Sequence, residues 1–237
     1  MRILAIDTAT ESCSAALWVD GNVSAREKHL ERGHAAHILL MVHELLAEAA
    51  LTLPGLNAIA FGHGPGAFTG VRLAASVAQG LAFGSGLPVV PVSDLRALAQ
   101  RALETLPEAT RVLVATDARM HEVYWGCFYR DGEGLAGALG EERVGPPDQV
   151  RLPESWADTA QHPVAVCGAG SGFAAYPQLQ NVLAAAPAPI LDRLLPRAQE
   201  VARLAVPEVR KGRALPPEQA LPVYLRDDVT HKRASGH

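Results

Sequence analysis

Asp7 ends the apolar run RILAID and is followed by Thr8, Thr10 and Ser12 in the turn TATES. A carboxylate at a strand end, with hydroxyl groups in the turn after it, can hold a hydrated magnesium ion and phosphate oxygens. The same side chains can instead satisfy the amides of their own turn. Asp117 ends a second such run, VLVATD, in the other half of the chain. Two acidic turns at corresponding places suggest a duplicated unit with a cleft between the copies. Gly168 and Gly170, in CGAGSG, could bring backbone close to a nucleotide, although a plain glycine turn reads the same way.

A third motif is GPGAFTGVR, which contributes Gly64, Pro65, Gly66, Phe68, Thr69, Gly70 and Arg72. It precedes a helical pattern, so its amides could form an anion site at the helix start. It lacks the lysine of a P-loop and does not match the dinucleotide fingerprint. Its glycines serve equally well where a helix and a strand pack closely. Asp7 and Asp117 are the residue type that holds magnesium, but no lysine or arginine is clearly aimed at a phosphate. The expectation is that this chain requires no cofactor and binds ATP or ADP with magnesium weakly at most. His34, His37 and His43 form neither HxxxH nor HExxH, so a zinc peptidase is disfavoured. There is no GxSxG nucleophile elbow. The 3 cysteines are far apart with no CxxC pair, which reads as buried thiols rather than a disulfide framework.

The elements that must position these residues follow from apolar periodicity. RILAID, CSAALWV and NVSAREKHL read as three antiparallel strands, with Asp20-Gly21 as a hairpin turn. A helix from Ala35 to Leu51 follows, with Ile38, Leu39, Met41, Val42, Leu45, Leu46, Ala49 and Ala50 over roughly half its circumference at ~100° per residue. Leu40 falls outside even that wide stripe. NAIAFG, a helix from Val71 to Phe83 and LPVVPV make a βαβ crossover. Ser93 caps a helix from Asp94 to Leu103. The first lobe is therefore βββαβαβα over residues 1–107. The second, over 108–237, partly repeats it, with strands RVLVATDAR, HEVYWGCFY and PVAVCGAGSG and a helix from Arg197 to Val206. Between Gly145 and Pro163 the chain reads as loop. LPPEQALPVYLRDDV has a strand-like centre, and HKRASGH reads as a frayed tail.

The helix from Val71 to Phe83 has a bulky stripe of Leu73, Val77 and Leu81 beside a neighbouring one of Val71, Ala74, Ala75, Ala78 and Ala82. The bulky stripe is expected to face the lobe's own sheet and the alanines to face neighbouring helices. Apolar surface this wide implies cover on more than one side. Leu39, Leu40, Met41, Val42, Leu46, Ala74, Ala75, Ala78 and Ala82 are thus the candidate partner interface.

Composition narrows the function classes. The chain has 237 residues, 49% hydrophobic and 19% charged, enough to bury a sizeable core. Its net charge is −4, with lysines only at 28, 211 and 232, and no stretch concentrates enough cations for direct nucleic-acid binding. The uncharged run from Leu73 to Ser93 is long enough for a bilayer, but glycines and prolines divide it into a helix and a strand. With no signal-peptide pattern at the start, the expected location is the cytoplasm, away from any membrane.

Taken together, ILAIDTATESCSAAL, GPGAFTGVR, VLVATDARMHEVY and LPVYLRDDV resemble the TsaB family. The resemblance implies a two-lobe α/β fold of the actin/hexokinase/Hsp70 type, with duplicated mixed-sheet lobes. It implies a non-catalytic relative of TsaD, the transferase that places threonylcarbamoyl on an adenosine beside the tRNA anticodon. TsaD holds a metal through an HxxxH-type segment where this chain reads SDLRALAQ, so no metal site and no catalysis carry over. The expected partners are TsaD, as a heterodimer through the two first-lobe helices, and TsaE. The resemblance also implies a homodimer through the same surface in the absence of TsaD, with tRNA met only through the complex. A stand-alone ATPase or phosphotransferase using Asp7 and Asp117 is the competing reading, with a metallopeptidase a distant third. Residues 132–163 match the family least well.

Overall fold

The computed structural model describes residues 1–156, 166–183 and 189–226. Its two five-stranded mixed sheets share one plan. In the first, β1 (Arg2–Asp7), β2 (Ser12–Val19), β3 (Asn22–His29), β4 (Ala58–Gly62) and β5 (Val89–Val92) run in the order β3-β2-β1-β4-β5. β1 pairs antiparallel with β2 and parallel with β4. In the second, β6 (Arg111–Arg119), β7 (Glu122–Arg130), β8 (Ala136–Gly145), β9 (Val166–Ala169) and β10 (Ile190–Leu191) run β8-β7-β6-β9-β10. β6 is likewise antiparallel to β7 and parallel to β9. The duplication expected from the two acidic turns is present strand for strand, with Asp7 and Asp117 near the ends of equivalent central strands.

The helices cross between the copies. α1 (His34–Glu48) and α2 (Phe68–Ser85) lie on one face of the first sheet, sharing a core with Leu4, Ile6, Leu17, Ile59 and Phe61. α3 (Asp94–Thr105) follows β5 in sequence but packs on the second sheet, against Val112, Val114 and Phe128. α5 (Ala198–Arg210) follows β10 but packs on the free face of the first sheet, against Ile3, Ala5, Ala60 and Val90. α4 (Gly172–Ala175) lies on the second sheet's remaining face. The division at residue 107 therefore separates the strands, while each half of the chain lends the other a helix.

Several sequence expectations change. α1 stops before Leu51 because Ala50 takes a left-handed conformation at φ 51°, which ends the helix. α5 does not stop before Pro207 but continues to Arg210, although a proline leaves a carbonyl one turn back unpaired. β8 lies inside the stretch least like the family, and its glycines and charges (AGALGEERVG) hide the alternation of a strand. Leu221–Arg226 forms no strand; it passes over the start of α2, where Tyr224 meets Phe68 and Arg72. Residues 157–165 of the expected loop, the first residues of PVAVCGAGSG and the tail HKRASGH lie outside the described residues.

The two stripes of α2 are reversed from expectation. Ala74, Ala75, Ala78 and Ala82 are buried, three of them in the core with Ile59 and Phe61, while Leu73, Val77 and Leu81 are half-buried. Small side chains let the helix axis come close to the sheet, which leaves the bulkier stripe on the flank. The four alanines are therefore not interface residues. Met41, Val42 and Leu46 are buried under α1 in the same core, so of the proposed interface only Leu39 and Leu40 reach the surface.

Candidate functional site

The first two motifs meet each other. Thr8 donates its hydroxyl to the Gly70 carbonyl at 2.7 Å, and Ala67 donates its amide to the Ala9 carbonyl at 2.7 Å. A Cβ at Gly70 would stand 2.0 Å from the Thr8 carbonyl oxygen, and one at Gly66 would stand 2.6 Å from that of Ala9. GPGAFTG therefore lies directly on the turn after β1, and its glycines permit backbone to touch backbone. Asp7, Thr8 and Ser12 are buried and Thr10 is half-buried. Asp7 Oδ1 accepts from the Ala9 amide at 2.8 Å, Ser12 donates to Glu27 at 2.9 Å, and the Thr10 hydroxyl accepts from the Ser12 amide at 3.2 Å. In this arrangement the side chains of Asp7, Thr8 and Ser12 are enclosed by the turn and its neighbours.

Asp94 completes the cluster, and the sequence reading missed it as anything beyond a helix start. It stands at the first position of α3, where Ser93 caps the helix by accepting from the Arg96 amide at 3.1 Å. Asp94 Oδ2 accepts from the Gly64 amide, while Asp94 Oδ1 and Asp7 Oδ2 have no donor among the described residues. Both carboxyls crowd Gly62: a Cβ there would lie 2.5 Å from Asp94 Oδ1 and 3.1 Å from Asp7 Cγ. Burial raises the Asp7 carboxyl to about 6, and burial beside Asp7 raises Asp94 well above the carboxylate range. Two facing acceptors in a dry site are satisfied when one carries a proton and donates it to the other. His63, close by, is pushed down to about 4 by burial and is neutral at pH 7.

The second acidic turn is built differently. Asp117 is half-buried; its amide donates to the Ser171 hydroxyl at 3.1 Å, and its carboxylate accepts from Tyr176 at 3.3 Å and from the Arg119 amide at 2.9 Å. Arg119 also pairs with it at 3.3 Å. Gly168 and Gly170 are buried, and a Cβ at Gly170 would lie 2.4 Å from the Ala115 carbonyl oxygen. They pack β9 and its turn against neighbouring chain instead of presenting amides to a ligand.

The segment standing where a metal-binding HxxxH would be is occupied with structure. Arg96 donates to the Ala136 carbonyl at 2.7 Å and Gln100 accepts from the Ala136 amide at 2.7 Å, tying α3 to β8. Among the described residues, no group of three or more His, Cys, Asp or Glu side chains could hold a metal ion. Cys13, Cys127 and Cys167 are buried free thiols, pushed up to about 11, 12 and 12 by desolvation. No helix among the described residues is long and apolar enough to cross a membrane.

The other candidate is a surface. Leu39 and Leu40 on α1 are 51% and 53% exposed, and Phe83 on α2 is 71% exposed. Ser76, Gly80 and Gly84 form an exposed row on α2, with nothing within 4 Å of a Cβ at either glycine. Phe68, half-exposed at the start of α2, stacks with Tyr224 while the Arg72 guanidinium lies 3.5 Å above its ring. Phe68 and Arg72 of the glycine motif thus face outward, while Gly64 and Pro65 lie buried beneath them.

Comparison with known proteins agrees with this architecture. A family model described as TsaD: tRNA N6-adenosine threonylcarbamoyltransferase matches residues 26–232. The chain is 42% identical to the tRNA threonylcarbamoyladenosine biosynthesis protein TsaB of Escherichia coli (strain K12), over 100% of this chain and 99% of that one. It is 39% identical to the Haemophilus influenzae protein of the same name, over 100% of this chain and 98% of that one. Among solved structures, YeaZ from Pseudomonas aeruginosa is 43% identical with a TM-score of 0.84, covering 94% of this chain and 99% of that one. The duplicated arrangement of two five-stranded mixed sheets is shared with that structure. By full-length identity and by structure, the chain belongs to the TsaB family.

Proposed function

We propose that this protein is a non-catalytic subunit in tRNA threonylcarbamoyladenosine biosynthesis, which binds and activates a TsaD-type transferase through the outer faces of α1 and α2. The observation carrying this reading is the exposure of Leu39, Leu40 and Phe83 on two helices whose other faces are anchored in one core. The exposed row Ser76, Gly80 and Gly84 carries no bulky side chain, so a partner helix can approach α2 closely. Apolar side chains beside such a row make the kind of contact that a helical interface buries. TsaE is the further partner, and in the absence of TsaD a second copy of this chain occupies the same faces. With a net charge of −4, the chain meets tRNA through the complex and not directly. The expected location is the cytoplasm, where tRNA is modified.

The interior position of Asp7, Thr8 and Ser12 supports a subunit rather than an ATPase. On this reading the isolated chain turns over no ATP and binds ATP or ADP with magnesium weakly at most. The test is an assay of the purified chain, alone and with TsaD, TsaE, tRNA and threonylcarbamoyl-adenylate. Product formed only when TsaD is present supports the proposal. Steady ATP turnover near ~1 s⁻¹ by the chain alone, abolished in Asp7→Asn, would establish the phosphotransferase reading instead.

A further inference from the structure

The segment after α5 makes a path from one lobe to the other. Leu215 exchanges two backbone hydrogen bonds with Val89 at 2.8 Å each, and the Pro217 carbonyl accepts from Gln79 at 3.1 Å. Ala220 is buried in the core beneath α1 and α2. From Leu221 to Arg226 there is no helix or strand, and the contacts are few and specific. The Val223 amide donates to the His63 carbonyl at 2.7 Å. The Val223 carbonyl oxygen would be 2.8 Å from a Cβ at Gly64, whose φ of +109° also favours glycine. Tyr224 stacks on Phe68 with ring centroids 5.6 Å apart and accepts from Arg72 Nε at 2.7 Å.

Two residues later the segment reaches the second lobe. Arg226 pairs with the Glu122 carboxylate and donates to the Ala118 carbonyl at 3.3 Å, with Met120 Sδ at 3.5 Å. Its partner turn is tightly wound: Arg119, Met120 and His121 all have positive φ, at 63°, 54° and 60°. The ion pair is partly shielded, with side-chain exposures of 19% and 31%. Between Val223 and Arg226, then, the chain touches the loop that covers Asp7 and the turn that follows Asp117.

We infer that Leu221–Arg226 is an interlobe clasp, which holds the two acidic turns in their closed arrangement and can be released without unfolding either core. Of its apolar side chains Leu221 and Val223 are exposed and Pro222 and Leu225 half-buried, so no side chain of the segment is fully buried to retain it. Its hold comes from the Val223–His63 backbone bond and a stacked aromatic–guanidinium group at one end, and from Arg226, paired with Glu122 and bonded to the Ala118 carbonyl, at the other. A segment held by a few discrete contacts opens as a unit at lower free energy than the sheets beside it. The lobes cannot move apart at the Asp7 and Asp117 ends while both grips are made. The inference does not depend on the partner assignment of α1 and α2.

Hydrogen exchange on the full chain, followed peptide by peptide, tests this. In Arg226→Gln, and separately in Glu122→Gln, amides of residues 63–72 should exchange about tenfold faster, together with those of residues 118–123. Since these stretches lie in different lobes, a packing contact at one of them would not move both. The exchanged pair Arg226→Glu with Glu122→Arg should restore protection at residues 63–72. Tyr224→Phe, which keeps the stack and removes the bond to Arg72, should give a smaller change of the same pattern. Acceleration confined to residues 118–123, or none in either single variant, would overturn the clasp, as would failure of the exchanged pair to restore protection.

Discussion

Asp94, at the start of α3, faces Asp7, at the end of β1, with one oxygen of each lacking a donor among the described residues. The first residue belongs to a helix packed on the second sheet and the second to the central strand of the first. The carboxyl pair therefore sits at the junction of the lobes, and its proton is part of the interface.

The pair makes stability depend on pH. Asp7 moves from 3.8 to about 6 on folding and Asp94 also moves up, so the native state holds more protons than the unfolded chain above pH ~4. The resulting stabilisation is complete below the unfolded value and is lost as pH rises through the folded one. Asp94→Asn keeps an acceptor for Gly64 and supplies an amide donor to Asp7 Oδ2. It should stabilise the protein at pH 8 by about 1–3 kcal/mol, with the gain shrinking toward pH 5. His63, held at about 4, acts in the opposite sense below its usual value, and comparing variant with parent at each pH cancels it. Urea titrations at pH 5, 6.5 and 8 measure the effect; a variant less stable at pH 8 would show that the pair is not carrying a costly charge.

The glycine motif is a packing device in this arrangement, and substitution should show it. Gly70→Ala places a methyl group within 2.0 Å of the Thr8 carbonyl, where backbone must move. A loss of at least about 2 kcal/mol in urea unfolding is expected. Gly80→Ala, with open space around it, should be neutral or slightly stabilising because alanine is the better helix former.

The two helices should separate cleanly by mutation. Ala78 is fully buried between α2 and the sheet, so Ala78→Arg should cost roughly 4 kcal/mol or more and prevent folding. Leu40 is exposed, so Leu40→Arg should leave Tm and the circular dichroism spectrum within the range of a surface change, about 0.5 kcal/mol.

Ser93–Gln100 spends its side chains on a helix cap, on Asp7 and on β8, and no described cluster offers three metal ligands. Dialysed protein should therefore hold far less than one zinc or iron per chain by elemental analysis. A stoichiometric metal would revive the peptidase reading.

Much of the first lobe was legible from residue pattern alone. RILAID and CSAALWV are continuous apolar runs, and Ser93 announces the cap of α3. What misled was side-chain size: on α2 the bulky stripe looks like the core face, yet Ala74, Ala75, Ala78 and Ala82 occupy it because the helix lies close to the sheet. β8 escaped because a strand edged by glycines and charges carries no clear period-two signal. LPVYLR looks like a strand, but Pro222 has no amide to donate to a ladder and no strand among the described residues pairs with it. Asp7 and Asp117 were found at equivalent strand ends, whereas the Asp7–Asp94 pair depends on α3 crossing to the other lobe, which no local pattern encodes.

The central claim is that the outer faces of α1 and α2 bind a TsaD-type transferase. Its most direct test is the dissociation constant of that transferase for the purified chain, measured by calorimetry for the parent and for Leu40→Arg and Gly80→Arg. Neither substitution touches a buried residue. The account predicts that each variant folds normally and binds at least about tenfold more weakly, a loss of ~1.4 kcal/mol or more. Binding by both variants at the parental affinity would contradict it.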